Sequence, residues 1–335
     1  MIDIRLWGQL VGNLTQINNN TVFAYDEAFN RPISPIVMPT RRKTPYKITN
    51  ERFNDLPGFI YDSLPDAFGQ KVMERYFKQH LKERDPNTFD YLTAIGSDGS
   101  GALEYVPHYD TERESTLFDI NVLDQYAQHF NKEMPIEADI DEVDAFVHHS
   151  ASLKGAKPKT TCFYDKASSF SFKRELLKES VEVIVKFTNV TDEKYRSRES
   201  QIEYAYYQLA REAGLTMAES YLFNYEGGAA FATERFDRVA EDKLHMLSAA
   251  SLMHKDFIGH SDYQELFRLN NALMVGKEDN KKLFRQMVFN YIYNVKDDHL
   301  KNFSYLMDKD NQWSLSPAYD LIYNASINHH LTFNN

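Results

Sequence analysis

The chain has 335 residues, 42 % hydrophobic and 14 % aromatic, with a formal net charge of −11 and one cysteine, Cys162. Such a chain is globular, well cored and long enough for two or three domains, and its acidity excludes a direct nucleic-acid binder, which needs a basic face against phosphates. The lone cysteine excludes an internal disulfide and a thiolate zinc site, no apolar run reaches the roughly 18 residues of a membrane span, and Met1-Ile2-Asp3-Ile4-Arg5 is no secretory leader, so the cytoplasm is expected.

Residues 1–48 read as strands and turns. Ile2, Ile4 and Leu6 alternate, and runs 10–14 and 21–25 follow at hairpin distances, giving a small antiparallel sheet that serves as scaffold. Asp62-Ser63-Leu64-Pro65-Asp66 offers capping residues for a helix that runs to Leu81, and another helix starts near Thr88. GSDGSG at 96–101 is a turn before a strand over 102–106. It is a poor phosphate loop, because neither a helix nor a lysine follows it directly.

Two short helices are expected within 116–147, where the carboxylate run Glu137–Asp144 marks a solvated face. His148 and His149 are read on a strand, pointing to opposite faces, which is poor chelation geometry. Ser150–Thr160 (SASLKGAKPKT) is the most basic short stretch, with Lys154, Lys157 and Lys159, yet its only glycine is Gly155. It is either a solvated turn or a lining for phosphates. The strand 181–187 (VEVIVKF) brings Lys186 to the end of an apolar run, and a helix follows over 197–214 with Ser197 as a possible cap. Glu203, near its middle, either pairs with Lys186 or faces solvent. A hairpin over 221–223 and 228–234 leads into Glu234-Arg235-Phe236-Asp237-Arg238, and helical patterns then cover 246–255, 263–275 and 281–295.

The last helix runs into Asp297-Asp298-His299-Leu300-Lys301-Asn302, then a strand at 303–306, the turn 308–311, a strand at 313–315, and Asp320. Protein kinases use this layout: a base aspartate, an asparagine five residues on, and a later aspartate for the metal. Phosphoryl transfer needs one carboxylate to take the hydroxyl proton and hard oxygen ligands for Mg²⁺. Asp297 fits the base, and Asn302 and Asp320 fit the ligands. Asp298 is a competing base without the spacing to Asn302.

NVKDDHLKNFSYL at 294–306 followed by WSLSPAYDLIY at 313–323 resembles the HipA family of bacterial serine/threonine kinase toxins. Further matches run in order at 8–15, 62–69, 99–107, 152–160, 183–187, 234–238 and 245–252. The resemblance implies an α+β, two-lobed protein-kinase-like fold: a β-rich subdomain with helices over 1–110, a mixed α/β ATP-binding lobe over 111–238, and an α-helical catalytic lobe over 239–335. That last lobe is short, because family members continue for several helices beyond the segment matching Asp320. It also implies an ATP loop at Ser152, Leu153, Lys154, Gly155, Ala156 and Lys157, with Lys186 on the phosphates and Glu234 and Phe236 at the hinge beside adenine. Asp297 is then the base, Lys301 and His299 support the catalytic loop, and Asn302 and Asp320 hold Mg²⁺. Ser152, with Ser150 as second choice, becomes the self-inhibiting autophosphorylation site. The implied partners are a protein substrate such as an aminoacyl-tRNA synthetase and a HipB-like helix-turn-helix antitoxin that carries the DNA contacts. Two rivals stand beside this reading: a catalytically weak kinase-like scaffold acting as co-repressor, and a metal-dependent hydrolase built on Asp297-Asp298-His299.

Overall fold

The computed structural model describes residues 1–17, 20–41, 44–80, 85–108, 116–132, 140–188, 198–240, 242–256, 261–324 and 329–332. Ser197 and the start of the Glu137–Asp144 run lie outside the described residues. The alternation at the start builds strand β1 (Ile2–Leu6), whose Ile2, Ile4 and Leu6 all turn to the core. Trp7 and Gly8, at φ 50 and 76, form the two-residue turn into β2 (Gln9–Ile17), positive φ at both positions being what a tight hairpin of this twist requires. With β3 (Asn20–Tyr25), β4 (Tyr46–Lys47) and β5 (Leu103–Val106) these make an antiparallel sheet of order β4-β3-β2-β1-β5. Helices α1 (Gly58–Tyr61), α2 (Ala67–His80) and α3 (Thr88–Ile95) fall between β4 and β5. Asn87 caps α3 in a reciprocal capping box with Asp90.

Helices α4 (Ile120–Lys132) and α5 (Ile140–Ala151) lead to a second antiparallel sheet of order β7-β6-β8-β10-β9. Its strands are β6 (Lys159–Tyr164), β7 (Phe170–Ser171), β8 (Val181–Lys186), β9 (Ser220–Tyr225) and β10 (Gly228–Glu234), with α6 (Arg198–Glu212) packed against β9 and β10. His148 and His149 lie on α5, not on a strand. Each is spent separately, His148 Nδ1 on the Ala94 carbonyl at 2.8 Å and His149 Nδ1 on Thr161 Oγ1 at 2.9 Å.

The short hairpin β11 (Arg238–Val239) and β12 (Asp242–Lys243) precedes β13 (His245–Ser248). Here the helix expected over 246–255 gives way: β13 pairs with β15 (Ser304–Met307), and only α7 (Ala249–Met253) is helical. Long-range strand pairing overrides the local apolar period, and the Ser248 Oγ caps α7 by accepting the Ser251 N–H at 3.2 Å. After β14 (Ser261–Asp262) come α8 (Tyr263–Ala272) and α9 (Lys277–Ile292) as expected, then β16 (Trp313–Leu315) beside β15, and β17 (Leu331–Thr332) parallel to β14. Residues 239–335 are thus mixed, not purely helical. One core runs from Ile2 to Leu331, and a smaller cluster of Ala210, Leu215, Phe289, Val295, Ala318 and Leu321 ties α6 to the end of α9. That second cluster fixes where the loop after α9 emerges.

The glycine-rich turn at 96–101 is a socket for charges. Arg235 and Arg238 donate to the Gly99 carbonyl at 3.2 and 2.9 Å, and Asp237 Oδ2 accepts the Gly101 N–H at 2.7 Å. Arg235 also reaches Glu182 at 2.6 Å and Asp237 at 2.7 Å. This buried network bolts the first sheet to the strand that ends at Glu234.

A cleft around Lys186

A cleft of about 590 Å³ opens between the second sheet, the turn over 61–67 and the loop that follows α9. Every residue expected from the sequence to bind nucleotide or metal lines it, except Ser152. Lys186 ends β8 in its wall, where Nζ lies 2.6 Å from Glu203 Oε1 and 2.8 Å from Asp320 Oδ1. Burial opposes the ammonium charge, but Asp320 and Glu203 outweigh it and push the Lys186 pKa up. Glu203 is only 4 % exposed, so of its two expected states the paired one is found.

Asp320 is enclosed by protein but keeps 38 % of its side chain open to the cleft. Lys186 first, then Lys159 and Lys157, hold its carboxyl well below the ordinary range against the opposing effect of burial. Its backbone sits at φ 55, a left-handed conformation that costs a non-glycine residue energy and that tertiary packing must enforce.

The loop after α9 turns on itself. Asn302 donates its side-chain N–H to the Asp297 carbonyl at 2.7 Å, and its backbone N–H to the His299 carbonyl at 2.9 Å. Asp297 stays 40 % exposed, with Oδ1 3.6 Å from the Nε2 atoms of both His299 and His330. Burial lowers the His299 pKa. Asp298 points the other way and is 1 % exposed. It accepts from Tyr263 Oη at 2.9 Å, from the backbone N–H groups of His330 and Leu331 at 2.8 and 3.3 Å, and meets His329 Nδ1 at 3.1 Å. The two adjacent aspartates are sorted by environment: one faces the cleft and the other anchors β17.

Gly155 stands at φ +101, where any Cβ would meet Lys159 Nζ at 2.7 Å. Ala156 is exposed at the loop tip, and Lys157 lies 3.1 Å from Glu199 and 3.5 Å from Glu203. Lys159 is buried and donates to the Lys154 carbonyl; burial, then Lys186, brings its pKa down to about 8. Leu153, Ser150 and Ser152 are buried. Lys154 turns away from the other lysines, donating to the Tyr61 and Leu64 carbonyls at 3.0 and 2.6 Å.

Part of the cleft lining is apolar, from Ile184, Met217, Phe231 and Phe236, the last with its ring 5.7 Å from that of Tyr319. Glu234 accepts from Tyr221 Oη at 2.6 Å. Lys301 approaches Asp66 at 3.4 Å. Asp66, in the cleft lining, and His330, 3.6 Å from Asp297, were assigned no role in the site from the sequence. Asp66 looks like an ordinary capping aspartate ahead of α2, and His330 carries no local motif.

Comparisons with known proteins agree along nearly the whole chain. Residues 2–106 match the family model described as the HipA N-terminal domain, and residues 151–335 that of the HipA-like C-terminal domain. Y4dM of Sinorhizobium fredii, which carries a provisional kinase name, is 23 % identical over 96 % of this chain and 76 % of its own length. A similarly named protein of Haemophilus influenzae is 25 % identical over 36 % of this chain and 40 % of its own length. The HipA chain in a Shewanella oneidensis complex of HipA, HipB and operator DNA superposes with a TM-score of 0.65 at 21 % identity, covering 96 % of this chain and 76 % of that one. The fold is therefore the mixed α/β fold of that HipA chain, and the protein belongs to the HipA family.

Proposed function

We propose that the protein is an ATP- and Mg²⁺-dependent serine/threonine protein kinase, the toxin of a toxin–antitoxin pair. The observation that carries this is the triad of Glu203, Lys186 and Asp320, at 2.6 and 2.8 Å, in the same cleft as the Asp297–Asn302 loop. A lysine paired with a helix glutamate, beside a metal-binding aspartate and a base aspartate, is the arrangement that kinases use to hold and transfer a phosphoryl group. In this reading residues 1–110 form the added β-rich subdomain, 111–238 the ATP-binding lobe and 239–335 the catalytic lobe. The apolar lining near Phe236 receives adenine, and Lys157, Lys186 and the loop backbone receive phosphates.

Asp297 orients a serine or threonine hydroxyl of the substrate and takes its proton. The hydroxyl oxygen bonds to the γ-phosphorus as the bond to the β–γ bridging oxygen breaks, and ADP leaves with that electron pair. Asn302 and Asp320 offer the hard oxygen donors that suit Mg²⁺, which when bound neutralises phosphate charge. Among the described residues no group of three or more His, Cys, Asp or Glu side chains could hold a metal ion by itself. Asp298, spent on β17, is a poor candidate for the base, and this weighs against the hydrolase reading.

The implied partners are a HipB-like antitoxin and a protein substrate such as an aminoacyl-tRNA synthetase. A net charge of −11 suits a protein that meets DNA through a partner. Autophosphorylation at Ser152, or else Ser150, requires the loop to swing out, since the two are 2 % and 0 % exposed. A phosphoserine would bring about −1.5 to −2 charge to the loop lysines and compete with ATP. The test is to incubate purified protein with γ-labelled ATP, Mg²⁺ and a host lysate. The kinase reading expects a labelled host protein, and ATP–Mg²⁺ binding with no transfer would favour the scaffold instead.

A further inference from the structure

The turn from Tyr61 to Asp66 touches both working loops of the cleft at once. Asp66 Oδ2 accepts the Gly155 N–H at 3.1 Å, while its Oδ1 lies 3.4 Å from Lys301 Nζ. The Tyr61 ring faces two ammonium groups, 5.3 Å from Lys154 Nζ and 5.1 Å from Lys301 Nζ, close enough for cation–π attraction. Lys154 is spent on the carbonyls of this same turn. Behind it, α2 is seated on the chain that enters the loop: at Gly69 a Cβ would come 2.9 Å from the Ala151 carbonyl oxygen. Only a glycine permits so close an approach.

We propose that Asp66 is a positioning residue for phosphoryl transfer, through which the segment matched to the HipA N-terminal domain fixes the Gly155 backbone and the Lys301 ammonium relative to each other. The inference rests on the reading of the cleft as a nucleotide site. A loop turning at a left-handed glycine is free to sample many conformations, and a charge-assisted hydrogen bond to its one glycine N–H selects among them. Asp66 is a stiff anchor, because its carbonyl already accepts the Gln70 N–H at 2.8 Å in the first turn of α2. Lys301 carries three N–H donors on a charged ammonium, and its Nζ lies between the Asp66 carboxylate and the Tyr61 ring. Burial works against the Asp66 charge, but Lys154, Lys301 and the Gly155 N–H together hold its carboxyl below the usual range, so it is an anion at neutral pH.

The opposite role is also physical: a carboxylate at an anion-binding loop can compete with phosphate. The two roles give opposite signs. Full-length wild type, Asp66→Ala and Asp66→Asn are titrated calorimetrically with ATP–Mg²⁺ and with adenosine. Amide exchange of peptides covering 150–158 is followed without nucleotide, and thermal unfolding checks the fold. The expected result for Asp66→Ala is about tenfold weaker ATP binding with adenosine binding unchanged, and faster exchange at the Gly155 peptide, in line with loss of a charge-assisted bond. Asp66→Asn keeps an acceptor for Gly155 and loses the charge facing Lys301, so its loss should be smaller. Tighter ATP binding, equal losses for ATP and adenosine, or unchanged exchange and affinity would each overturn the proposal. Wild-type protein that binds no ATP would overturn the kinase reading instead, and the exchange comparison would still decide whether Asp66 fixes the loop.

Discussion

Lys186 is held by carboxylates on two sides in the cleft. Two carboxylates compete with burial to keep it charged, and each of them has a second task in the proposed mechanism or in the packing of α6. Replacing it by methionine leaves Glu203, 4 % exposed, without its closer cation. The expected result is ATP affinity reduced about 10- to 100-fold with a modest loss of stability, as when one partner of a buried pair is removed. Calorimetric titration beside a urea melt separates the two. Asp320→Ala should behave differently, abolishing the gain in ATP affinity that Mg²⁺ confers while leaving metal-free binding nearly intact. An unchanged gain would make Asp320 a strained turn residue and nothing more. At this scale the sequence was informative wherever spacing along one loop carries the chemistry, as with Asp297 and Asn302. It was silent on His330, which reaches Asp297 only because the buried Asp298 captures the backbone of the following strand.

Secondary elements were legible where local period and tertiary role coincide. α2, α3, α6 and α9 follow their apolar spacing, α3 also its cap, and β1 follows strict alternation. β13 did not, because an apolar run of that length suits a helix or a strand, and pairing with β15 decides it. The histidine pair on α5 failed for a related reason, since nothing in its neighbours distinguishes a helix end from a strand. Asp298 gives the element-scale prediction. It accepts from a buried tyrosine and two backbone N–H groups, so Asp298→Ala leaves buried donors unmet and should cost about 2–4 kcal/mol. Urea denaturation measures the loss, and limited proteolysis should show early cleavage near β17. A melt within about 0.5 kcal/mol of wild type would mean that β17 is held by other contacts.

Across the whole molecule, the pieces that meet at the cleft are joined by buried polar contacts, and these make stability depend on pH. His245, wholly buried in β13, contacts the Ile33 carbonyl through Nε2 at 3.1 Å, and burial brings its pKa from 6.5 down to about 4. Below about pH 6.5 the unfolded chain takes up a proton here that the folded chain refuses until about pH 4. The contribution is therefore intact above pH 6.5 and lost as pH falls toward 4, amounting to about 3 kcal/mol at 1.36 kcal/mol per unit. His245→Gln should flatten the urea midpoint between pH 6.5 and 4.5, and parallel wild-type and variant curves would refute this. The resemblance to HipA proteins was readable in the sequence because its motifs lie in order along the chain. The union of Asp66, Gly155 and Lys301 was not, because those residues meet only once the first sheet, α5 and the α9 loop are assembled.

In the proposed mechanism Asp297 is the base of a phosphoryl transfer. Single-turnover transfer from γ-labelled ATP to a lysate-derived substrate, comparing wild type with Asp297→Asn at matched nucleotide occupancy, tests it most directly. The amide is nearly isosteric and cannot take the hydroxyl proton, so transfer should fall by about 10²–10⁴-fold with ATP affinity unchanged. An Asp297→Asn protein that keeps more than about a tenth of wild-type transfer would contradict the account, because a positioned base contributes at least about a hundredfold.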